Sequence, residues 1–278
     1  MGTSTHRLEH EGLTIQITPP APGRLSVLLI HGLLDAGWMW EAVLDALAQH
    51  GYGTISFDKP LAAHTHADNL NALSQSLISL CDKLPDSAPV LCGSSLGALT
   101  ALHLAVSCPK RWPGLVLAGP SGIAGSLRSI DLGTHMRTPS VGLATFFLDR
   151  IFYRKELLTP DKLTRFNENL TTSVLIRALR SLRATRDYDV RSLLPQIQQP
   201  TLVLCGEDDE ISPAVAWRDA CENLVDGEFV GIPECGHAPQ CEEPALFTGI
   251  LLEWLARQTP SGHSSNLGTP KHISAEVN

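Results

Sequence analysis

Three stretches carry residue types that can do nucleophilic chemistry. The first is Gly93-Ser94-Ser95-Leu96-Gly97, a G-x-S-x-G pattern with Ser95 at its centre. The second is Gly206-Glu207-Asp208-Asp209-Glu210-Ile211-Ser212-Pro213, and the third is Gly236-His237. A serine hydroxyl is too weakly acidic to attack a carbonyl unaided, so it needs an imidazole to take its proton. The imidazole in turn needs a carboxylate that fixes its tautomer and steadies its positive charge. Serine, aspartate and histidine, in that order along the chain, supply these three parts.

The elements that must position them are legible as alternating runs. Val90-Leu91-Cys92 is a short apolar run broken by glycine, and Ala98 to Ala105 continues as a helix of small and apolar residues. Ser95 then falls on a tight strand-to-helix turn, where a Cβ at Gly93 or Gly97 would collide with neighbouring backbone. The N-terminus of the following helix favours negative charge beside the serine. Ser26–Ile30, Thr54–Phe57, Gly114–Ala118, Thr201–Cys205 and Glu228–Ile232 read as further strands, and Leu13–Ile17 alternates like a half-buried edge strand. Helices fall between them around Trp40–Ala48, Leu70–Leu80, after Pro213, and over Pro244–Arg257. Strands alternating with helices imply an α/β fold with a doubly wound, mostly parallel sheet of about eight strands. An aspartate after Cys205 and His237 then lie just past strand ends, where such sheets gather functional groups.

The rhythm stops between 122 and 195. Val141–Tyr153 and Val174–Leu182 have helical spacing, and arginine is frequent. This stretch reads as a helical cap inserted in a core formed by 1–121 and 196–258, with its arginines on a solvated outer surface. Residues 259–278, rich in Ser, Gly and Pro, lack apolar periodicity and read as a disordered tail.

These motifs resemble the α/β-hydrolase superfamily over Leu13 to Arg257. Similar enzymes carry His-Gly after the third strand, G-x-S-x-G, G-x-x-D-x-x-x-P and Gly-His after the last strand. Here these are His31-Gly32, Gly93–Gly97, Gly206–Pro213 and Gly236-His237. The resemblance implies Ser95 as nucleophile, His237 as base and Asp209 as acid, with Asp208 the alternative acid. It also implies an oxyanion hole at the backbone N–H groups of Leu33 and Leu96, and a structural role for His31. It departs at Asp58–His64, where similar enzymes often read D-x-x-G-x-G-x-S in a loop beside the pocket.

Composition narrows the class. The chain has 278 residues, 43% hydrophobic, with a formal net charge of −8, which speaks against nucleic-acid and anionic-membrane partners. No apolar run is long enough to span a bilayer, and Met1–Glu11 is polar, so a cytoplasmic location is expected. Seven cysteines, several within apolar runs, read as reduced. Cys235, His237 and Cys241 would give a metal only three ligands at unusual spacing, so neither a metal nor a cofactor is expected.

The expected function is hydrolysis of a small-molecule carboxylic ester, thioester or lactone through an acyl-enzyme. The alternatives are hydrolysis of a carbon–carbon bond in a vinylogous diketone, or non-hydrolytic ligand binding or biosynthesis on the same fold. Gly119–Gly122 is similar to the carbon–carbon group, whereas Ala238 replaces the tryptophan usual there after the histidine. Pockets are mostly apolar, so Phe146 and Phe147 are expected to line the acyl site.

Overall fold

The structure, a computed structural model, describes residues 5–123 and 141–258. Eight strands form a single sheet in the order β1-β2-β4-β3-β5-β6-β7-β8. They are β1 (His6–His10), β2 (Leu13–Thr18), β3 (Ser26–Ile30), β4 (Gly53–Phe57), β5 (Val90–Ser94), β6 (Leu115–Ala118), β7 (Thr201–Gly206) and β8 (Gly227–Ile232). The first two pairings, β1 with β2 and β2 with β4, are antiparallel, and the rest are parallel.

Alternation along the buried strands builds two cores. Val27, Leu29, Val90, Cys92, Val116, Leu202 and Leu204 face one way. There they meet Val43 and Leu47 of α1 (Glu41–Gln49) and Phe247, Leu251 and Trp254 of α8 (Pro244–Gln258). Leu28, Ile30, Leu91, Leu115, Leu117 and Val203 face the other way. Their partners include α2 (Leu70–Asp82), α3 (Leu96–Ser107) and α7 (Ala214–Cys221). Such two-sided cover is why these strands are continuously apolar.

Leu13–Thr18 is not the sheet edge. His6–His10 pairs outside it, a strand of polar and mostly exposed residues that no apolar pattern announces. Between β6 and β7 lie α4 (Val141–Ile151), α5 (Pro160–Glu168) and α6 (Thr172–Thr185), and α5 was not legible in the sequence. Thr159 and Thr171 cap α5 and α6 by accepting the N–H groups of Lys162 and Val174. The expected tail at 259–278, and the part of the insertion at 124–140, lie outside the described residues.

The arginines of this insertion do not all face solvent. Arg154 bonds the Glu242 carbonyl and pairs with Glu243, and Arg165 pairs with Glu41 with its guanidinium 5.6 Å from the centre of the Trp38 ring. Arg177 Nε donates to the Ala62 carbonyl at 2.8 Å. Short amphipathic helices offer little apolar area, and the loop carbonyls below them lack strand partners, so guanidinium donors satisfy both needs. Arg183 and Arg186 remain exposed as expected.

The turn after β5 is packed at backbone contact. A Cβ on Gly97 would lie 2.7 Å from the Ile30 carbonyl carbon, and one on Gly93 would lie 2.6 Å from Ala98 N. Gly97→Ala should therefore push β3 and α3 apart, costing roughly 1–3 kcal/mol or more. Thermal melting checks this: a midpoint several degrees lower is expected, and an unchanged midpoint would contradict the packing described.

Candidate active site

Ser95 occupies the turn between β5 and α3 with φ 53° and ψ −119°. Left-handed backbone at a non-glycine residue costs about 1–3 kcal/mol and persists only where surroundings over-determine it. Here Ser95 N–H donates to the Ala118 carbonyl at 3.0 Å, and Ser95 O accepts from Ala98 N–H. The conformation turns the hydroxyl towards the loops that follow β7 and β8.

Those loops bring the other two sequence-derived candidates to it. His237 Nε2 lies 2.9 Å from Ser95 Oγ, and His237 Nδ1 lies 2.7 Å from Asp209 Oδ2. Asp209 Oδ1 accepts the N–H groups of Ile211 and Ser212, each at 2.8 Å. With both Asp209 oxygens engaged, the carboxylate can only accept, so Nδ1 carries the proton and Nε2 is the acceptor for the serine hydroxyl. Asp208 makes no such contact; its side chain is exposed while Asp209 is 5% exposed. Burial opposes a charge on His237, but Asp209 and Asp35 outweigh it and raise its pKa above the ordinary histidine value.

A second hydroxyl, not foreseen from sequence, reaches the same atom. Ser121 Oγ lies 3.1 Å from Ser95 Oγ. Since Ser95 donates to His237, Ser121 must donate to Ser95. The segment is pinned by Gly119 N–H to the Leu204 carbonyl at 2.8 Å and by Ser212 Oγ to the Pro120 carbonyl.

The backbone N–H groups of Leu33 and Leu96 have no hydrogen-bond acceptor among the described residues. Leu96 is the first residue of α3, and the Leu33 carbonyl accepts from Ala62 N–H at 2.9 Å, which ties its loop to the Asp58–His64 stretch. His31 is fully buried with Nε2 bonded to the Phe57 carbonyl, and burial pushes its pKa down to about 4, so it is a neutral strut. His64, read only as a loop residue, is also buried, with Nε2 3.1 Å from Ser76 Oγ. Phe147 is buried 6.4 Å (ring centres) from Phe166, and Phe146 is half-buried beneath the Arg150 guanidinium. All seven cysteines are free, and no metal-holding cluster occurs among the described residues. No helix among them is long and apolar enough to cross a membrane.

Glu242 is the largest element that the sequence did not disclose. It is 2% exposed. Its Oε1 accepts Gly236 N–H at 2.8 Å, and its Oε2 accepts Tyr153 N–H at 2.7 Å and Arg154 N–H at 3.1 Å. Its pKa is raised by burial, with those N–H groups acting against the shift. Beside it, His237 N–H donates to the Ile151 carbonyl at 2.7 Å. The histidine loop is thus sewn to the end of α4.

The chain belongs to the alpha/beta hydrolase family, whose model matches residues 27–248, and is a hydrolase. It is 26% identical over 262 residues to the 2-hydroxy-6-oxononadienedioate/2-hydroxy-6-oxononatrienedioate hydrolase of a Pseudomonas species, covering 88% of this chain and 92% of that one. It is 26% identical over 247 residues to the pimeloyl-[acyl-carrier protein] methyl ester esterase of Nitrosomonas europaea, covering 81% and 93%. A thermophilic esterase from Thermogutta terrifontis has a similar fold, with a TM-score of 0.73 at 23% identity and coverage of 91% and 99%.

Glu242→Ala would leave three backbone N–H groups, the buried one of Gly236 and the half-buried ones of Tyr153 and Arg154, without an acceptor. A loss of about 3 kcal/mol or more is expected. Denaturant or thermal unfolding measures it, and a shift below about 1 kcal/mol would show that the clamp is not what holds the histidine loop.

Proposed function

We propose that the chain is a carboxylic ester hydrolase working through a covalent acyl-enzyme on Ser95. The observation that carries this reading is the unbroken relay from Asp209 through His237 to Ser95 Oγ, with contacts of 2.7 and 2.9 Å. Ser95 attacks the ester carbonyl while His237 takes its proton at Nε2. Asp209, held by two N–H groups, keeps the imidazole in the competent tautomer and stabilises the imidazolium. The Leu33 and Leu96 N–H groups receive the oxyanion, an interaction worth about 3–4 kcal/mol per donor. His237 then returns its proton to the leaving alcohol, and water, deprotonated by the same nitrogen, releases the acid. The Ser121 hydroxyl, donating to Ser95 Oγ, holds the nucleophile in the rotamer that faces His237. The helices of 141–185 act as a cap, with Phe146 and Phe147 as its candidate acyl-contacting residues.

A second reading is hydrolysis of a carbon–carbon bond in a vinylogous diketone, favoured by the likeness to the Pseudomonas hydrolase named above. The same three residues would serve it. Side-by-side assay of p-nitrophenyl esters and a chromogenic dienol diketone separates the two.

Ser95→Ala should abolish turnover of whichever substrate is accepted. Asp209→Asn should lower kcat on the order of 10⁴-fold, because its amide can present a donor to Nδ1 and strand the wrong tautomer. Asp208→Asn should change it less than threefold. Steady-state kinetics on purified variants gives the comparison, and equal losses at 208 and 209 would overturn the assignment.

A further inference from the structure

Three carboxyl groups are buried at or near the proposed nucleophile, and two of them accept three hydrogen bonds each. Asp209 accepts two backbone N–H groups and the His237 imidazole, and Glu242 accepts three backbone N–H groups. The third is Asp35, in the loop His31-Gly32-Leu33-Leu34-Asp35-Ala36-Gly37 that also carries the Leu33 N–H. It is 7% exposed, and no side chain among the described residues bonds or pairs with it. The neighbouring Gly32 N–H favours its charged form but does not offset the burial. A carboxylate has lone-pair sites for about four hydrogen bonds, so most of its capacity is unused.

Its position is as unusual as its poverty of partners. An atom placed on Gly32 Cα would lie 2.9 Å from Asp35 Cγ and 3.4 Å from Ser95 Cβ. The carboxyl is therefore separated from the nucleophile by little more than the space that glycine leaves open. It also lies close enough to His237 and Cys241 to act on both electrostatically. Burial pushes the Asp35 carboxyl up to about 6, with His237 and the Gly32 N–H pulling the other way. In mildly alkaline solution it is consequently an ionised, acceptor-only group.

A carboxylate this poorly supplied with protein donors adds little to folding, and its oxygens are not sealed from solvent. We propose that Asp35 is a substrate-binding residue whose carboxylate accepts an O–H or N–H donor carried by the acyl part of the substrate next to the scissile carbonyl. This deepens the ester-hydrolase reading and rests on it. The favoured class is an ester of a 2-hydroxy or 2-amino acid type, neutral or cationic near the carbonyl. An acyl group with a carboxylate at that place would be repelled. Leu33 and Leu96 would address the carbonyl oxygen while Asp35 addresses its neighbour, so that one loop supplies both an oxyanion donor and a specificity acceptor. A site built to hydrogen-bond a substrate donor discriminates strongly against the analogue lacking it, because its own buried polar group is then left unpaired.

The test compares p-nitrophenyl 2-hydroxybutyrate with p-nitrophenyl butyrate at pH 8, using the wild type, Asp35→Asn and Asp35→Ala. The readout is the ratio of kcat/KM between the two esters, in which their intrinsic reactivities cancel when variants are compared. Asp35→Ala should lower the ratio by about 10-fold or more, the magnitude of one lost charge-assisted hydrogen bond. Asp35→Asn, which keeps a neutral acceptor, should fall between. Melting of Asp35→Asn should be no lower than that of the wild type, since a poorly satisfied charge is removed. A ratio unchanged in both variants would overturn the proposal, as would a fall in melting temperature with no change in ratio. If the wild type turns over neither ester, the ester-hydrolase reading fails separately, and binding decides the Asp35 question. Ser95→Ala should then bind 2-hydroxybutanamide more tightly than butanamide by ligand-observed NMR, and adding Asp35→Ala should erase the preference. Equal binding of the two amides to Ser95→Ala would contradict it.

Discussion

The backbone at Ser95 is the constraint to which the remainder of the structure answers. A serine at φ 53° and ψ −119° is held only where neighbours leave no alternative. Three features close the alternatives off. Gly93 and Gly97 allow β3, β5 and α3 to approach at backbone contact, where any side chain would collide. Ser95 N–H is fixed to Ala118 on the adjacent strand. The strands themselves are buried on both faces, so β5 cannot shift to relieve the turn. Burial of the sheet, not the turn's own propensity, is the source of the free energy that holds Ser95 in place.

The second requirement is that two loops, after β7 and β8, arrive at the serine with the right reach. The parallel pairing of β7 and β8 sets their common end, with Gly206 opposite Ile232. Beyond that, the loops rely on polar contacts. Asp209 is immobilised by its own backbone N–H groups two and three residues on, an arrangement that needs nothing from elsewhere. Gly236-His237 depends on Glu242 and on the Ile151 carbonyl, so its geometry is shared with the inserted helices. Arg154, Arg165 and Arg177 moor the same helices to the core, and Arg177 donates to the carbonyl of Ala62, whose N–H donates to the Leu33 carbonyl. The helices between β6 and β7 are therefore tied mechanically to both sides of the site.

Much of this was legible in the sequence, for a physical reason that also marks the limit. Strands buried on both faces are mostly apolar runs, so β3, β5, β6 and β7 announce themselves. The turn at Ser95 admits only glycine at two nearby positions, so it leaves a fixed signature. His237 and an aspartate after Cys205 were legible because strand ends are local, and the resemblance to the G-x-x-D-x-x-x-P pattern pointed to Asp209 over Asp208. His6–His10 was not, since a polar edge strand exposed on most of its surface has no pattern to show. Glu242 and Ser121 act on atoms brought near by the fold, and nothing in their immediate neighbours distinguishes them from a helix-end glutamate or a turn serine. The mooring arginines looked like solvated charge because sequence shows the residue and not the carbonyl it meets. Asp35 sits inside a motif that was recognised for its glycine, and its lack of partners is a property of the folded site alone.

The central claim is that Ser95 is the activated hydroxyl of this chain, and covalent labelling tests it most directly. A fluorophosphonate probe reacts with a serine only when a neighbouring base and oxyanion donors make it nucleophilic. Peptide mapping by mass spectrometry after labelling should find one modified residue, Ser95, with labelling lost in His237→Ala. Modification at Ser94 or Ser121, or an unlabelled folded protein, would contradict the account.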